Sequence, residues 1–128
     1  MIILDSDILI DLLRKYPPAV NWYNQLEEDI VVLPGFVVLE LLKGCQNKRQ
    51  QKRMEKTIDP FEIMWPSHDA CDKALEIFAQ YHLSHGIGMI DVLIGHTAVS
   101  LNIPLYTFNR KHYEPIPDLI IIEPYERT

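Results

Sequence analysis

The chain has 128 residues, and its 12 Lys and Arg against 18 Asp and Glu give a net charge of −6, with 48% of residues hydrophobic. Roughly 100 to 200 residues is the size of one domain, and this apolar fraction can fill a core without disulfide staples, which excludes disordered, collagen-like and low-complexity chains. The longest apolar runs, Phe36 to Leu39 and Leu119 to Ile122, fall far short of the ~20 residues that span a bilayer.

Met1-Ile2-Ile3-Leu4-Asp5 lacks the basic n-region of a signal peptide. Cys45 and Cys71 have neither a CxxC partner nor metal-ligand spacing, which suits a reducing cytosol. The expectation is a soluble cytoplasmic protein with no membrane role, residues 1–128 forming a single domain. An acidic balance argues against gripping nucleic acid by bulk charge. Six of the 12 cations nevertheless fall between Lys43 and Lys56, a candidate phosphate-facing surface.

Met1 to Leu4 is a short apolar run entering an acid-rich turn, the pattern of a strand buried on both faces of a parallel sheet. Ile8, Leu9, Leu12 and Leu13 follow with helical spacing. Pro17-Pro18 ends that helix and starts a second carrying Val20, Trp22, Tyr23 and Leu26. Ile30 to Leu33 reads as a second buried strand, Pro34 suits the first turn of a helix through Leu42, and Gly44 suits its stop. A basic helix spans about Asn47 to Thr57, Asp59-Pro60 turns the chain, and Phe61 to Trp65 reads as a third strand. Ser67 caps a long helix with Ala70, Ala74, Ile77, Phe78 and Tyr81 in register, broken at His85-Gly86-Ile87-Gly88. Another helix carries Ile90 to Leu101. Strands follow at Leu105 to Thr107 and at Leu119 to Ile122, before an exposed tail. This alternation predicts a three-layer α/β/α sandwich with a mainly parallel sheet.

Most acids, among them Glu27-Glu28-Asp29, Glu55, Asp69 and Asp72, sit in polar company and read as solvated surface. Asp5, Glu40 and Asp91 sit in apolar runs that contain no Lys or Arg. A buried ionised carboxylate neutralises, pairs or binds a cation. Asp5 falls at the carboxyl end of the first strand, the ligand-binding edge of an open α/β sheet, and Asp91 falls in the first turn of a helix. Asp5 or Asp7 could cap the first helix, and Asp91 could answer a helix dipole. Glu40, inside its helix, has neither reason to be there. Three carboxylates converging on one cleft repel one another unless a divalent cation lies among them, and hard oxygen donors select Mg²⁺ or Mn²⁺. That chemistry is metal-assisted phosphodiester hydrolysis.

Asp5 in ILDSDILIDLL, Glu40 in VVLELLKG, Asp91 in GIGMIDVLIGHTAVSLNIPLYTFN and the following RKHYEPIPDLIIIEPY together resemble a PIN-domain ribonuclease of the VapC toxin type, in order and over nearly the whole chain. The resemblance implies strand order 3-2-1-4-5, a Mg²⁺ or Mn²⁺ site whose acids match Asp5, Glu40 and Asp91, and RNA cleavage. It also implies frequent homodimers and an inhibitory antitoxin protein. The family often carries a fourth acid where this chain has Asn109. An amide oxygen can ligate a metal but brings no charge, so Asn109 is a weak ligand at best, or a simple cap for Arg110-Lys111-His112.

Asp5-Ser6-Asp7 also resembles the DxD signature of haloacid-dehalogenase-type phosphatases, but a later Lys and a paired-acid motif are absent, and Glu40 would go unexplained. A phospho-acceptor receiver domain would need a Lys that Ile120-Ile121-Ile122-Glu123 lacks. A noncatalytic RNA-binding or antitoxin-binding module is the main alternative from another class. On the basic helix, Lys48, Lys52 and Lys56 are four apart, with Arg49 and Arg53 beside them. Lys48, Lys52 and Arg53 are therefore candidate RNA contacts, against the reading of an ordinary solvated face. His68, His82, His85, His96 and His112 read as surface or satisfied core residues, and Trp22, Tyr23, Phe78 and Tyr81 as packing.

Overall fold

The computed structural model describes residues 1–26 and 29–128. The acids Glu27 and Glu28, expected at the surface, lie outside the described residues. In chain order the elements are β1 (Ile2–Leu4), α1 (Ser6–Leu13), α2 (Pro17–Asn24), β2 (Val31–Pro34), α3 (Gly35–Lys43) and α4 (Lys48–Ile58), then β3 (Glu62–Met64), α5 (His68–His85), α6 (Met89–Leu101), β4 (Leu105–Tyr106), α7 (Arg110–Tyr113) and β5 (Ile121–Ile122).

The strands form one sheet of order β3-β2-β1-β4-β5, parallel at every pairing and flanked by helices, as expected. Ile2, Ile3 and Leu4 are buried on both faces because β1 is the central strand. From β1 the chain first builds outward through β2 to β3 and then returns to add β4 and β5 on the other side. The order therefore reverses between β1 and β4. At such a switch point the loops leaving the strands diverge and open a crevice at their carboxyl ends. Asp5 follows β1 directly, so its side chain belongs to that crevice. Ile3, Leu4, Val32, Leu33 and Leu105 from the sheet pack with Ile8, Val37, Ile94 and Ala98 from the helices in one core.

Local chemistry explains most boundaries. Asn47 Oδ1 accepts from Gln50 N at 2.9 Å to begin α4, and Ser67 Oγ accepts from Ala70 N at 3.1 Å to begin α5. Gly86 ends α5 and Asn102 ends α6, both left-handed, with φ of 64° and 54°. Gly44 follows α3 as expected but stays right-handed at φ −72°, because the turn tightens into a bond from Cys45 N to Leu42 O.

Other boundaries differ from the sequence reading. Pro34 is not in the helix: it ends β2 and precedes α3 with extended backbone. The second helix stops at Asn24, and Leu26 packs on the core from beyond it. The third strand is shorter than Phe61 to Trp65 and lies on the sheet edge, where Glu62 and Ile63 are exposed. The last strand shrinks to Ile121–Ile122, because only those residues find partners on β4. The tail after it is not free. Tyr125 Oη donates to Asp11 Oδ2 at 2.7 Å, and Arg127 pairs with Asp11 at 2.9 Å while lying over the Phe108 ring. Tyr125 also packs against Trp22, Tyr16 and Phe108, so the tail staples α1 to the β4 end of the sheet. Among the described residues no helix is long and apolar enough to cross a membrane.

Gly95 lets the segment after α7 lie close on α6, since a Cβ there would collide with the buried Ile116 and meet Leu119. Overpacking costs about 1–3 kcal/mol, against the ~1 kcal/mol that Ala returns in a helix interior, so Gly95→Ala should destabilise by about 1 kcal/mol in thermal melts. Ile116→Val removes the colliding carbon, and the double variant should lose less than the sum of the single changes.

Candidate active site

The site is built around Asp5. At 2% exposure its carboxylate is buried at the end of the central strand, and its two oxygens have different tasks. Oδ1 accepts from Ser6 N at 2.8 Å and caps α1. Oδ2 accepts from Thr107 Oγ1 at 2.8 Å and from Tyr113 Oη at 2.9 Å. The capping role and the site role thus coexist in one residue. Thr107 is oriented in turn by Asn109 N, which donates to its Oγ1 at 3.0 Å, so a relay of hydrogen bonds runs from the loop after β4 into Asp5.

Asp7 completes this joint. Its Oδ1 accepts from Ile8 N at 2.9 Å and its Oδ2 from Phe108 N at 2.8 Å, which clamps the first turn of α1 to the chain leaving β4. Burial, then the charge of Asp5, pushes Asp7 up to about 6.

Asp91 arrives from the third position of α6. Gly88, which precedes that helix, leaves room for it, since a Cβ on Gly88 would stand 3.2 Å from Asp91 Oδ2. Asp91 makes no capping bond and lies 3.4 Å from Nδ1 of the exposed His112. Burial raises its pKa, against the pull of His112 and Tyr113. Glu40, half-buried on α3, is pushed up to about 7, first by burial and then by the charges of Asp5, Asp91 and Asp7, with Lys43 opposing. Burial also raises Asp5, reinforced by Asp91 and opposed by its hydrogen bonds. Asp5 and Asp91 are thus both within electrostatic reach of Glu40, and Asp91 within reach of Asp5.

Asn109 is exposed at the start of α7. Its side chain does not cap Arg110-Lys111-His112 as the simple reading had it; its backbone carbonyl does, accepting from His112 N at 2.9 Å. On α4, Arg53 lines a cleft of about 740 Å³ together with Glu40 and Ser6, and it also lines an outer groove with Lys48, Arg49, Lys52 and Lys56.

The sequence reading did not assign Asp7, Thr107, Tyr113 or His112 to the site. Thr107 and Tyr113 lay within the quoted runs, and Asp7 was weighed only as a cap or as half of a DxD pair. The other histidines are satisfied elsewhere: His96 is buried on Val92 O, His82 stacks on Phe78, and His85 packs against Tyr81.

The donor set suits a hard divalent cation, being all carboxylate oxygen with no Lys or Arg salt bridge to Asp5, Glu40 or Asp91 among the described residues. Among those residues no three acidic, His or Cys side chains close into a ready cage. The charges of Asp5 and Asp91 nevertheless act on Glu40.

Comparison with known proteins places this geometry in context. The PIN domain family model matches residues 2–115. A protein named Ribonuclease VapC from Rickettsia bellii is 31% identical over 133 residues, spanning 94% of this chain and 94% of its own length. Ribonuclease VapC10 of Mycobacterium tuberculosis is 27% identical over 114 residues, covering 88% of this chain and 86% of that protein. Among solved structures, VapBC-1 from nontypeable Haemophilus influenzae superposes with a TM-score of 0.74 at 30% identity, over 95% of this chain and 97% of that one. VapBC2 from Rickettsia felis, bound to a DNA fragment from its promoter, superposes with a TM-score of 0.77 at 25% identity, over 95% and 98%.

The raised carboxyls have a thermodynamic consequence. Asp7 rises from 3.8 to about 6 and Glu40 from 4.5 to about 7, so between those values the folded state holds more protons than the unfolded state. Metal-free stability should therefore fall as pH rises from about 4 to about 7. Glu40→Gln removes one repelling charge and should leave the melting temperature in EDTA unchanged or higher, with the larger gain at pH 8 than at pH 5. A large loss at pH 8 would instead reveal a structural ion pair.

Proposed function

Because the chain belongs to the PIN domain family, we propose that it is a divalent-metal-dependent ribonuclease, a single PIN-like domain over residues 1–128 acting in the cytoplasm as the toxin of a toxin-antitoxin pair. The observation that carries this reading is the electrostatic coupling of acids set in apolar runs after β1, on α3 and on α6: Asp5 and Asp91 both raise the cost of charging Glu40, and Asp91 raises that of Asp5. The proteins it resembles are named ribonucleases and are found in complexes with antitoxins. An antitoxin partner and a homodimer follow for this chain on the same footing.

A Mg²⁺ or Mn²⁺ ion bound there supplies Lewis-acid polarisation of a phosphoryl oxygen and an acidified water for phosphodiester hydrolysis. Asp5 and Asp91 are the principal ligands in this account. Thr107 and Tyr113 occupy Asp5 Oδ2 and Ser6 N takes one position on Oδ1, so the remaining acceptor position of the carboxylate, on Oδ1, is held in a fixed direction. Glu40 would position the ion or its water. Asn109 brings no charge to the fourth position, which favours a single tightly held ion. The basic face of α4, with Lys48, Lys52 and Arg53, meets RNA beside the crevice.

The neutral Asn109 and the open arrangement of the acids favour one competing reading, a noncatalytic RNA-binding or antitoxin-binding module. The DxD phosphatase reading loses support because both oxygens of Asp7 are occupied by backbone N–H groups. Purified protein should cut RNA with Mg²⁺ or Mn²⁺ and stop in EDTA. Asp5→Asn and Asp91→Asn should each slow cleavage roughly a hundredfold or more, since a catalytic ion is worth several kcal/mol. Binding of RNA without cleavage under every metal condition would establish the noncatalytic module. Asn109→Asp should tighten a second ion in calorimetry without RNA; two strong sites in the unaltered protein would refute the single-ion account.

A further inference from the structure

The cleft lined by Glu40 also carries cations. Arg14 at the end of α1, the adjoining Lys15, and Gln50 and Arg53 from α4 all belong to its lining. Part of the lining is apolar, with Ile10, Leu13 and Leu41 among it. Of the 12 cations in the chain, eight lie around this region: Arg14, Lys15 and the six between Lys43 and Lys56. Among the described residues none of the eight forms a salt bridge with a carboxylate. In a chain of net charge −6, that clustering leaves a local positive field, of which the Lys43 charge opposes the rise in the pKa of Glu40. Lys15 turns the chain here with φ of 58°, a left-handed conformation that costs a residue with a Cβ about 1 kcal/mol or more. The surrounding bonds from Lys15 N to Leu12 O and from Tyr16 N to Asp11 O hold it there.

We propose that Arg14 and Arg53, which both line this cleft, form a phosphate subsite that grips the RNA backbone on one side of the scissile bond, with the apolar part of the lining receiving an unpaired base or its sugar. The subsite rests on the ribonuclease reading. Guanidinium groups match phosphate oxygens in a planar, bidentate way that an ammonium cannot, so of the cations lining the cleft the two arginines, rather than Lys15 or the lysines of the outer groove that Arg53 also borders, set the register of the strand. An apolar lining accompanied by cations suits single-stranded RNA, whose bases are free to leave the stack, over a duplex. Lys48 and Lys52, along the outer groove, then contribute attraction without register.

The test uses Arg14→Gln, Arg53→Gln and the double variant, with Lys48→Gln/Lys52→Gln as the comparison. Arg14 and Arg53 are both exposed, so the fold should persist, and circular dichroism melts verify it. The probe is a short fluorescent single-stranded RNA, with anisotropy read in EDTA so that no cleavage intrudes. Each arginine change should weaken binding roughly tenfold, as expected for a charge-assisted hydrogen bond. The double variant should also flatten the salt dependence by about 1.4 in log–log slope, or ~0.7 for each phosphate of a single strand that is no longer neutralised. In a series of RNAs carrying one neutral methylphosphonate each, the unaltered protein should lose affinity at neighbouring phosphates on one side of the cut. The double variant should be insensitive at those positions, while the lysine variant keeps the pattern. In cleavage assays KM should rise with kcat little changed.

Unchanged affinity, slope and positional pattern in the double variant, with RNA still cut normally by the unaltered protein, would overturn the subsite alone. Retained RNA binding with loss of inhibition by a bound antitoxin would overturn it too, assigning the cleft to a protein segment. Failure of the unaltered protein to cut RNA under any metal condition would instead sink the ribonuclease reading from which the subsite proceeds.

Discussion

A carboxylate buried at the end of the central strand is the constraint around which this protein is arranged. An ionised group that is 2% exposed would lose several kcal/mol without partners. Asp5 has three, from Ser6, Thr107 and Tyr113, which come from α1, the end of β4 and α7. The same bonds that keep the charge tolerable therefore fix how α1 leaves β1 and how the loop after β4 closes. Asp7 adds a second tie across the same junction through Phe108 N. Removing these partners would disturb the site and the fold at one place, because at this point of the sheet they are the same structure.

The second theme is separation of charge. Burial raises Asp5, Asp7, Glu40 and Asp91, and repulsion from other carboxylates adds to it at Asp5, Asp7 and Glu40, so these acids are costly to the folded state when no cation is present. The cations that might have relieved it stand instead along α4 and at the end of α1. A cation in the crevice and a polyanion on the basic side satisfy both regions at once. Opposed fields of this kind, side by side, point to a phosphate-bearing ligand that needs a metal at one of its phosphates.

Much of this was legible in the residues, for reasons that can be named. Asp5, Glu40 and Asp91 stood out because carboxylates interrupt apolar runs at a cost that must be offset, and the charges of Asp5 and Asp91 are felt at Glu40. The parallel sheet was legible in the alternation of short apolar runs with helical periods, and Ser67 and Gly86 marked helix ends through capping chemistry that acts over a few residues. Thr107 and Tyr113 were not legible as partners of Asp5, because their hydrogen bonds span 102 and 108 positions of sequence. His112 carries no local sign that it will lie beside Asp91. The edge strands came out too long because a strand's extent is set by what its neighbour can pair with, and β4 offers β5 only two residues. The tail was read as free because Asp11, which holds it, lies on the first helix.

The central claim is that Asp5, Glu40 and Asp91 together hold one divalent cation. Anomalous diffraction from crystals equilibrated with Mn²⁺ tests it most directly. The account predicts one strong peak in the crevice between those three carboxylates, absent in crystals of Asp91→Asn. No peak at saturating Mn²⁺, or a peak outside that crevice, would contradict it.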